Sequence, residues 1–195
     1  MTTWNATASK LLDSAETLIR TKGYNAFSFR DLQREVGVKT STIHYYFATK
    51  PDLAAAVFER FFQEHRLGLD QLTMAVPRAY DRLEKVVHFF GHNAGLGRFC
   101  LGGMLSSDRE SLDEATRGAL VRFFAHFESW VSTTIAYGKS NGEFKDSLDP
   151  DQAARTFVAL LEGGMLIHRV KGDSHYFSDL ILPFIDQMAL IPSKI

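Results

Sequence analysis

The side chains most capable of chemistry in this sequence gather between Ser28 and Lys50. Thr40, Ser41, Thr42, His44, Tyr45 and Tyr46 place hydroxyls, an imidazole and two phenol rings within seven consecutive positions. Lys39 and Lys50 flank them, and Ser28 and Arg30 precede them. Hydroxyls and imidazoles hydrogen-bond phosphate oxygens or base edges, rings pack on sugars and thymine methyls, and amines sit where phosphates run. Successive residues on a helix point about 100° apart, so the run Tyr45-Tyr46-Phe47 cannot be buried whole and an aromatic surface is expected. Helix pairs joined by tight turns also build plain helical cores. On spacing alone, a nucleic-acid surface and ordinary packing both stand.

Other chemistry finds less support. Glu84, His88 and His92 fall at i, i+4 and i+8 near one helix face, a spacing at which two imidazoles can chelate a metal. Polar surface or pocket lining is the ordinary use of such a face, and no metal is expected. No Gly-rich phosphate loop, Gly-x-Ser-x-Gly elbow or His-Glu-x-x-His pair occurs, so no catalytic residue, no cofactor and no enzyme are expected. The single cysteine, Cys100, excludes a disulfide framework or a cysteine-built zinc site within one chain. If Cys100 opens a helix, the helix dipole and Arg98 would favour its thiolate; a buried, inert cysteine is the commoner case.

The elements that must position these groups read as helices. Of 195 residues, 45% are hydrophobic and 23% charged, an ordinary globular mixture. Charge nearly cancels, 22 Lys+Arg against 23 Asp+Glu, so overall basicity does not announce a nucleic-acid partner. It is unevenly spread: residues 1–60 carry 8 basic against 6 acidic side chains, and the remainder 14 against 17 together with 12 of the 16 Phe. A basic-leaning head and an acidic, Phe-rich body suggest two jobs. No apolar run reaches the ~18 to 20 residues of a membrane span, and residues 1–10 lack a signal-peptide pattern, so a soluble, cytoplasmic protein is expected.

Apolar residues recur at helical spacing with no period-2 run, which predicts an all-α fold of about nine helices. Leu11, Ala15, Leu18 and Ile19 form a first stripe ended by Gly23. Ser28 and Asp31 form a capping box for a short second helix that Gly37 stops. Thr40 is placed to cap a third helix anchored by Ile43 and Phe47, and Thr49-Lys50-Pro51-Asp52 opens the fourth. Later helices are expected from Pro77, from about Ser111 to Ser140, from Asp149-Pro150, and from roughly Ser174 to Met188 with a kink or break at Pro183. The turn Gly37-Val38-Lys39 suits two helices set steeply, one across the DNA backbone and the second in the major groove.

From Ala8 through Phe58 the chain resembles the N-terminal domain of the TetR (tetracycline-repressor) family of transcriptional regulators. The residues that carry the likeness are Leu18, Gly23-Tyr24, the run Phe27-Ser28-Phe29-Arg30-Asp31-Leu32, Val36-Gly37-Val38, Thr42-Ile43, Tyr46-Phe47, Lys50 and Leu53. The resemblance implies a helix-turn-helix DNA-binding domain over 1–50 and a helical effector-binding and dimerisation domain over 51–195. It implies a ligand-responsive DNA-binding regulator, a repressor released from a palindromic operator by a small molecule. By position, Lys39, Thr40, Ser41, Thr42, His44, Tyr45 and Tyr46 match turn and recognition-helix contacts, Ser28 and Arg30 match supporting-helix contacts, and Lys50 matches a phosphate contact. Ser41 stands where the family often has Gly or Pro, and His44 where it often has Tyr, which blurs sequence preference and leaves DNA binding intact.

The resemblance also implies a homodimer through the last two helices, with Phe157, Leu160, Leu161, Ile181 and Ile185 filling the seam and Gly163-Gly164 letting backbones approach. It implies an effector pocket in the Phe-rich middle, for which the candidates are Phe61, Phe62, His65, Phe89, Phe90, His92, Cys100, Met104, Phe123, Phe127 and Trp130. Core packing is the ordinary alternative for each of them taken singly. The run Phe99-Cys100-Leu101-Gly102-Gly103-Met104-Leu105 resembles one in a subgroup that includes electrophile and redox sensors. The rival reading is a helical small-molecule-binding or enzymatic protein with a vestigial helix-turn-helix. A weaker rival is an activator, or a DNA binder without sequence choice.

Overall fold

The computed structural model describes residues 4–173 and 175–190. These residues form nine α-helices, a 3₁₀ turn at Arg109–Ser111 and an isolated antiparallel bridge between Phe144 and Ala189. The chain packs as two compact units, one of residues up to Glu64 with Cys100–Phe123, the other of His65–Phe99 with the chain from Phe124 onward. The division at residues 50 and 51 expected from the sequence follows the helix-turn-helix; compactness divides the chain elsewhere, because α4 (Lys50–Ala75) and α7 (Glu114–Ser140) each contribute to both units.

In the first unit, helix ends are set by short-range caps. Helix α1 (Ala6–Lys22) starts at Asn5, whose side-chain oxygen accepts from the Ala8 amide at 2.9 Å, and ends at Gly23. Helix α2 (Phe29–Val36) carries the expected capping box and ends at Gly37. There φ is +73°, a left-handed conformation that glycine adopts without a Cβ clash. Helix α3 (Thr40–Tyr46) departs from expectation: its N-cap is Lys39, without a side-chain cap bond. Thr40 lies inside the first turn, and its hydroxyl donates to Gln33 Oε1 at 2.6 Å. Helix α4 opens with the expected box, since Thr49 N donates to Asp52 Oδ2 at 2.9 Å and Asp52 N donates back to Thr49 Oγ1 at 3.2 Å. Leu11, Leu12, Ile19, Leu32, Ile43, Leu53, Val57 and Phe58 are fully buried between these helices and α6 (Leu101–Ser107). Each such side chain contributes about 1.5–3 kcal/mol.

Among the remaining helices, one start is set by a long-range contact and others by local caps. Helix α5 (Ala79–Gly95) begins two residues after Pro77, because the Glu143 carboxylate accepts from the amides of Ala79 and Tyr80, both at 3.0 Å. Helix α7 starts at Glu114 rather than near Ser111, with Asp113 Oδ1 accepting from the Thr116 amide at 2.7 Å. Helix α8 (Pro150–Lys171) has the expected Asp149 cap, which accepts from the Asp151 and Gln152 amides. Helix α9 (Tyr176–Met188) contains Pro183 without breaking, and the expected first residue, Ser174, lies outside the described residues. Proline there lacks only one intrahelical donor, while Phe177, Ile181, Ile185 and Met188 hold the helix by burial.

Candidate nucleic-acid interface

Leu32, Ile43 and Phe47 are buried, and they hold α2 and α3 by one side. The opposite side carries the candidate contacts. Ser28, Arg30, Lys39, Thr40, Ser41, His44 and Tyr45 are exposed, while Thr42 and Tyr46 are half-buried. Tyr45 is 81% exposed, an unusual state for an aromatic ring that packing alone would not select. The ring of Tyr45 stands edge-on to Tyr46, with centroids 5.0 Å apart. His44 is braced from two sides: its ring meets Phe29 edge-on at 5.0 Å, and Nδ1 lies 3.0 Å from the Ala48 carbonyl oxygen. A carbonyl only accepts, so Nδ1 carries a proton, and the ring's second nitrogen, Nε2, takes no part in that bond. Thr40 is tied to α2 through Gln33, and Tyr46 to α1 through Asn5, whose Nδ2 donates to the phenol oxygen at 2.8 Å. Neither Gln33 nor Asn5 carries a signal in the sequence beyond its local cap or helix position.

Two of the expected contacts are committed elsewhere. The Lys50 ammonium turns inward, donating to the Phe27 carbonyl at 2.6 Å and lying 4.4 Å and 4.5 Å from the ring centroids of Tyr24 and Phe27. Burial pushes its pKa down, while Asp108 and Asp31 act the other way. Lys50 thus clamps the turn between α1 and α2 and does not stand out as the free phosphate ligand expected of it, since carbonyl and ring faces compensate a desolvated cation. The Ser28 hydroxyl donates to Asp31 Oδ2 at 2.7 Å and accepts from the Asp31 amide at 3.4 Å, so its first task is to start α2. The hydroxyl's bond to Oδ2, a second bond to Oδ2 from the Ser28 amide at 2.8 Å, and the Arg34 ion pair hold the Asp31 pKa down at about 2.

The candidate effector residues fall into separate groups. In the first unit Phe61 and Phe62 each lie 5.6 Å from the Phe123 ring, with Phe58 at 5.7 Å, and Cys100 and Met104 are buried. Cys100 is the N-cap residue of α6, and its burial opposes the exposure that a reactive thiolate needs. In the second unit His65 meets Phe127 edge-on at 5.0 Å, Phe90 stacks on Phe127 at 6.1 Å, and Trp130 Nε1 donates to Thr73 Oγ1 at 2.9 Å. Burial, helped by His126, pushes the His65 pKa down to about 4, so the ring is neutral at pH 7. Phe89 and His92 are corrections: Phe89 is 61% exposed and His92 is exposed as well. With Phe90 turned inward, its helical neighbour Phe89 must point about 100° away. Glu84, His88 and His92 form no metal cluster, and among the described residues no group of three or more His, Cys, Asp or Glu is placed to hold a metal.

The expected dimer seam is also corrected. Phe157, Leu161, Ile181 and Ile185 are fully buried within the protomer and Leu160 is half-buried. A Cβ on Gly164 would meet the partner helix α9 at Phe177, 3.3 Å away, so that glycine serves packing inside one chain. The apolar side chains left outside on α8 and α9 are Leu166, Ile167, Val170 and Leu180, with Val170 88% exposed. Their signal in the sequence is a second apolar stripe on α8, at Leu166 and Val170, spaced i, i+4.

Residues 11–57 match the family described as bacterial regulatory proteins, tetR family, and residues 76–181 match the tetracyclin repressor-like C-terminal domain. A solved transcriptional regulator of the TetR family from Agrobacterium tumefaciens is 25% identical, with a TM-score of 0.90, covering 94% of this chain and 98% of its own. A TetR transcriptional regulator from Legionella pneumophila is 30% identical, with a TM-score of 0.83, covering 96% and 98%. The HTH-type transcriptional repressor DhaR of Mycobacterium sp. (strain GP1) is 20% identical over 188 residues, spanning 94% of this chain and 91% of that protein.

Proposed function

Because the chain belongs to the TetR family of bacterial regulatory proteins, DNA-binding regulators of transcription, we propose that it acts as a homodimeric repressor released from its operator by a small molecule. In this reading residues 1–50 bind the duplex and 51–195 bind the effector and the second copy. The observation that carries it is the outward face of α3, where Tyr45, Ser41 and His44 stand over the buried anchors Ile43 and Phe47. Thr40, Thr42 and Tyr46 complete the recognition surface, while Lys39 and Arg30 supply phosphate contacts and Ser28 the helix start. A single short helix reads few base pairs, so two copies are needed, with recognition helices about 34–36 Å apart in successive major grooves.

The outward apolar residues of α8 and α9 support a two-fold bundle between protomers. The aromatic groups and the neutral His65 favour an apolar effector with few polar groups. Such a ligand shifts the dimer only by its difference in affinity for DNA-bound and released states. The protein is read as non-enzymatic and cytoplasmic. Among the described residues no helix is long and apolar enough to cross a membrane.

The test is binding of the full-length protein to the duplex upstream of its own gene, against a scrambled duplex, by fluorescence anisotropy. Tyr45→Ala and Lys39→Ala should each weaken the specific complex at least about fivefold while leaving helicity unchanged. Equal affinity for both duplexes at all salt concentrations would point instead to binding without sequence choice. No binding to either duplex would remove the reading.

A further inference from the structure

We propose that Asn5 is a positioning residue for DNA binding, orienting the Tyr46 hydroxyl so that its proton is offered to a phosphate oxygen of the duplex. The inference rests on the reading of α3 as the DNA-contacting helix. Asn5 lies outside the helix-turn-helix, at the N-cap of α1, 41 positions before Tyr46. Its two amide ends are both assigned. Oδ1 accepts from the Ala8 amide at 2.9 Å, which leaves Nδ2 to face Tyr46, and Nδ2 donates to the phenol oxygen at 2.8 Å. The cap removes the usual ambiguity between the amide oxygen and nitrogen, because only the oxygen can accept from a backbone N–H.

The consequence for Tyr46 follows from donor and acceptor counting. An amide NH₂ cannot accept, so the phenol proton cannot point at Asn5 and must turn to another side. Tyr46 is half-buried, and the ring of Tyr45 stands edge-on to it at 5.0 Å. A second brace fixes the same end of α3: the ring of Trp4 lies 5.6 Å from that of Phe47. The phenol therefore arrives at the duplex already set as a donor. Phosphate oxygens only accept, so they match it, whereas base amino groups, which only donate, do not. Without Asn5 the hydroxyl is free to rotate and to donate to water, and the ordering must then occur on binding.

Asn5→Ser tests this, because serine keeps the N-cap of α1 but is too short to reach Tyr46. The probe is a duplex selected from a random-sequence pool by the full-length wild-type protein. Asn5→Ser should bind it about tenfold more weakly per dimer, about threefold for each copy, with an unchanged melting temperature. In a Tyr46→Phe background the same substitution should cost less than about twofold. Replacing single phosphates by methylphosphonates separates orientation from mere bracing. The position that penalises the wild type but not Tyr46→Phe should lose most of its penalty in Asn5→Ser. Wild-type affinity in Asn5→Ser, an undiminished loss in the Tyr46→Phe background, or a full methylphosphonate penalty in Asn5→Ser would each overturn the proposal. Failure of the wild type to enrich any duplex would instead overturn the DNA-binding reading, and this inference with it.

Discussion

Asp31 and Lys50 show how single residues of expected type take up particular work. Asp31 accepts from Ser28 N at 2.8 Å and from the Ser28 hydroxyl at 2.7 Å, and it pairs with Arg34. Its pKa falls from the ordinary 3.8 to about 2. A depressed carboxyl pKa adds stability that is complete above about pH 5 and disappears as pH drops through the folded value. Asp31→Asn should therefore melt at a lower temperature than the wild type at pH 7, with the gap closing steadily below about pH 4; a gap independent of pH would show that the charge is not what matters. Lys50 was legible as a cation beside the recognition helix. Its four-carbon stem, however, reaches inward as easily as outward, and the Phe27 carbonyl with two ring faces decided the direction.

At the scale of elements, two kinds of helix start coexist. The caps of α2, α4 and α8 lie within three residues of the amides they satisfy, and all three were readable from spacing. The start of α5 depends on Glu143, some 64 positions away, and no local pattern announces it. Gly138 is a further case of contact that distance in the chain conceals. A Cβ there would lie 2.8 Å from Ala79 Cβ on α5 and 2.6 Å from Phe144 Cε2, and both partners are fully buried. Gly138→Ala gains about 1 kcal/mol of helix propensity, but crowding a packed interface costs about 1–3 kcal/mol. With neither neighbour free to yield, the net expectation is a lower urea midpoint at constant slope. A midpoint at or above the wild type would mean that α7 and α5 are less closely set than this.

At the scale of the whole molecule, the proposed two-fold bundle rests on apolar side chains of α8 and α9 that stay exposed after the chain has packed. Leu166, Ile167, Val170 and Leu180 stand outside, while the Phe157, Leu161, Ile181 and Ile185 set is used up internally. In a two-fold interface one substitution acts twice, and an unpaired buried charge costs several kcal/mol. Val170→Asp should raise the dimer dissociation constant about 10²- to 10³-fold, seen as monomers by light scattering at micromolar concentration, with circular dichroism unchanged. On the proposed reading, operator affinity should fall with it, because a monomer would engage one half-site only. A variant that stays dimeric would place the interface on another face.

Helix number, helix ends set by caps, and the polar, ring-bearing surface of α3 could be read from the chain because each rests on residues three or four positions apart, within reach before any folding. Which of two apolar stripes on α8 faces inward, where the Lys50 ammonium lies, what starts α5 and what holds Tyr46 all needed the packed fold. Those outcomes turn on partners that spacing does not announce: Phe177 on α9 lies 13 positions from Gly164, Phe27 lies 23 from Lys50, Asn5 lies 41 from Tyr46, and Glu143 lies 64 from Ala79. A side chain's type sets what bonds it is able to make, and only packing decides which of the possible partners is near enough to make them.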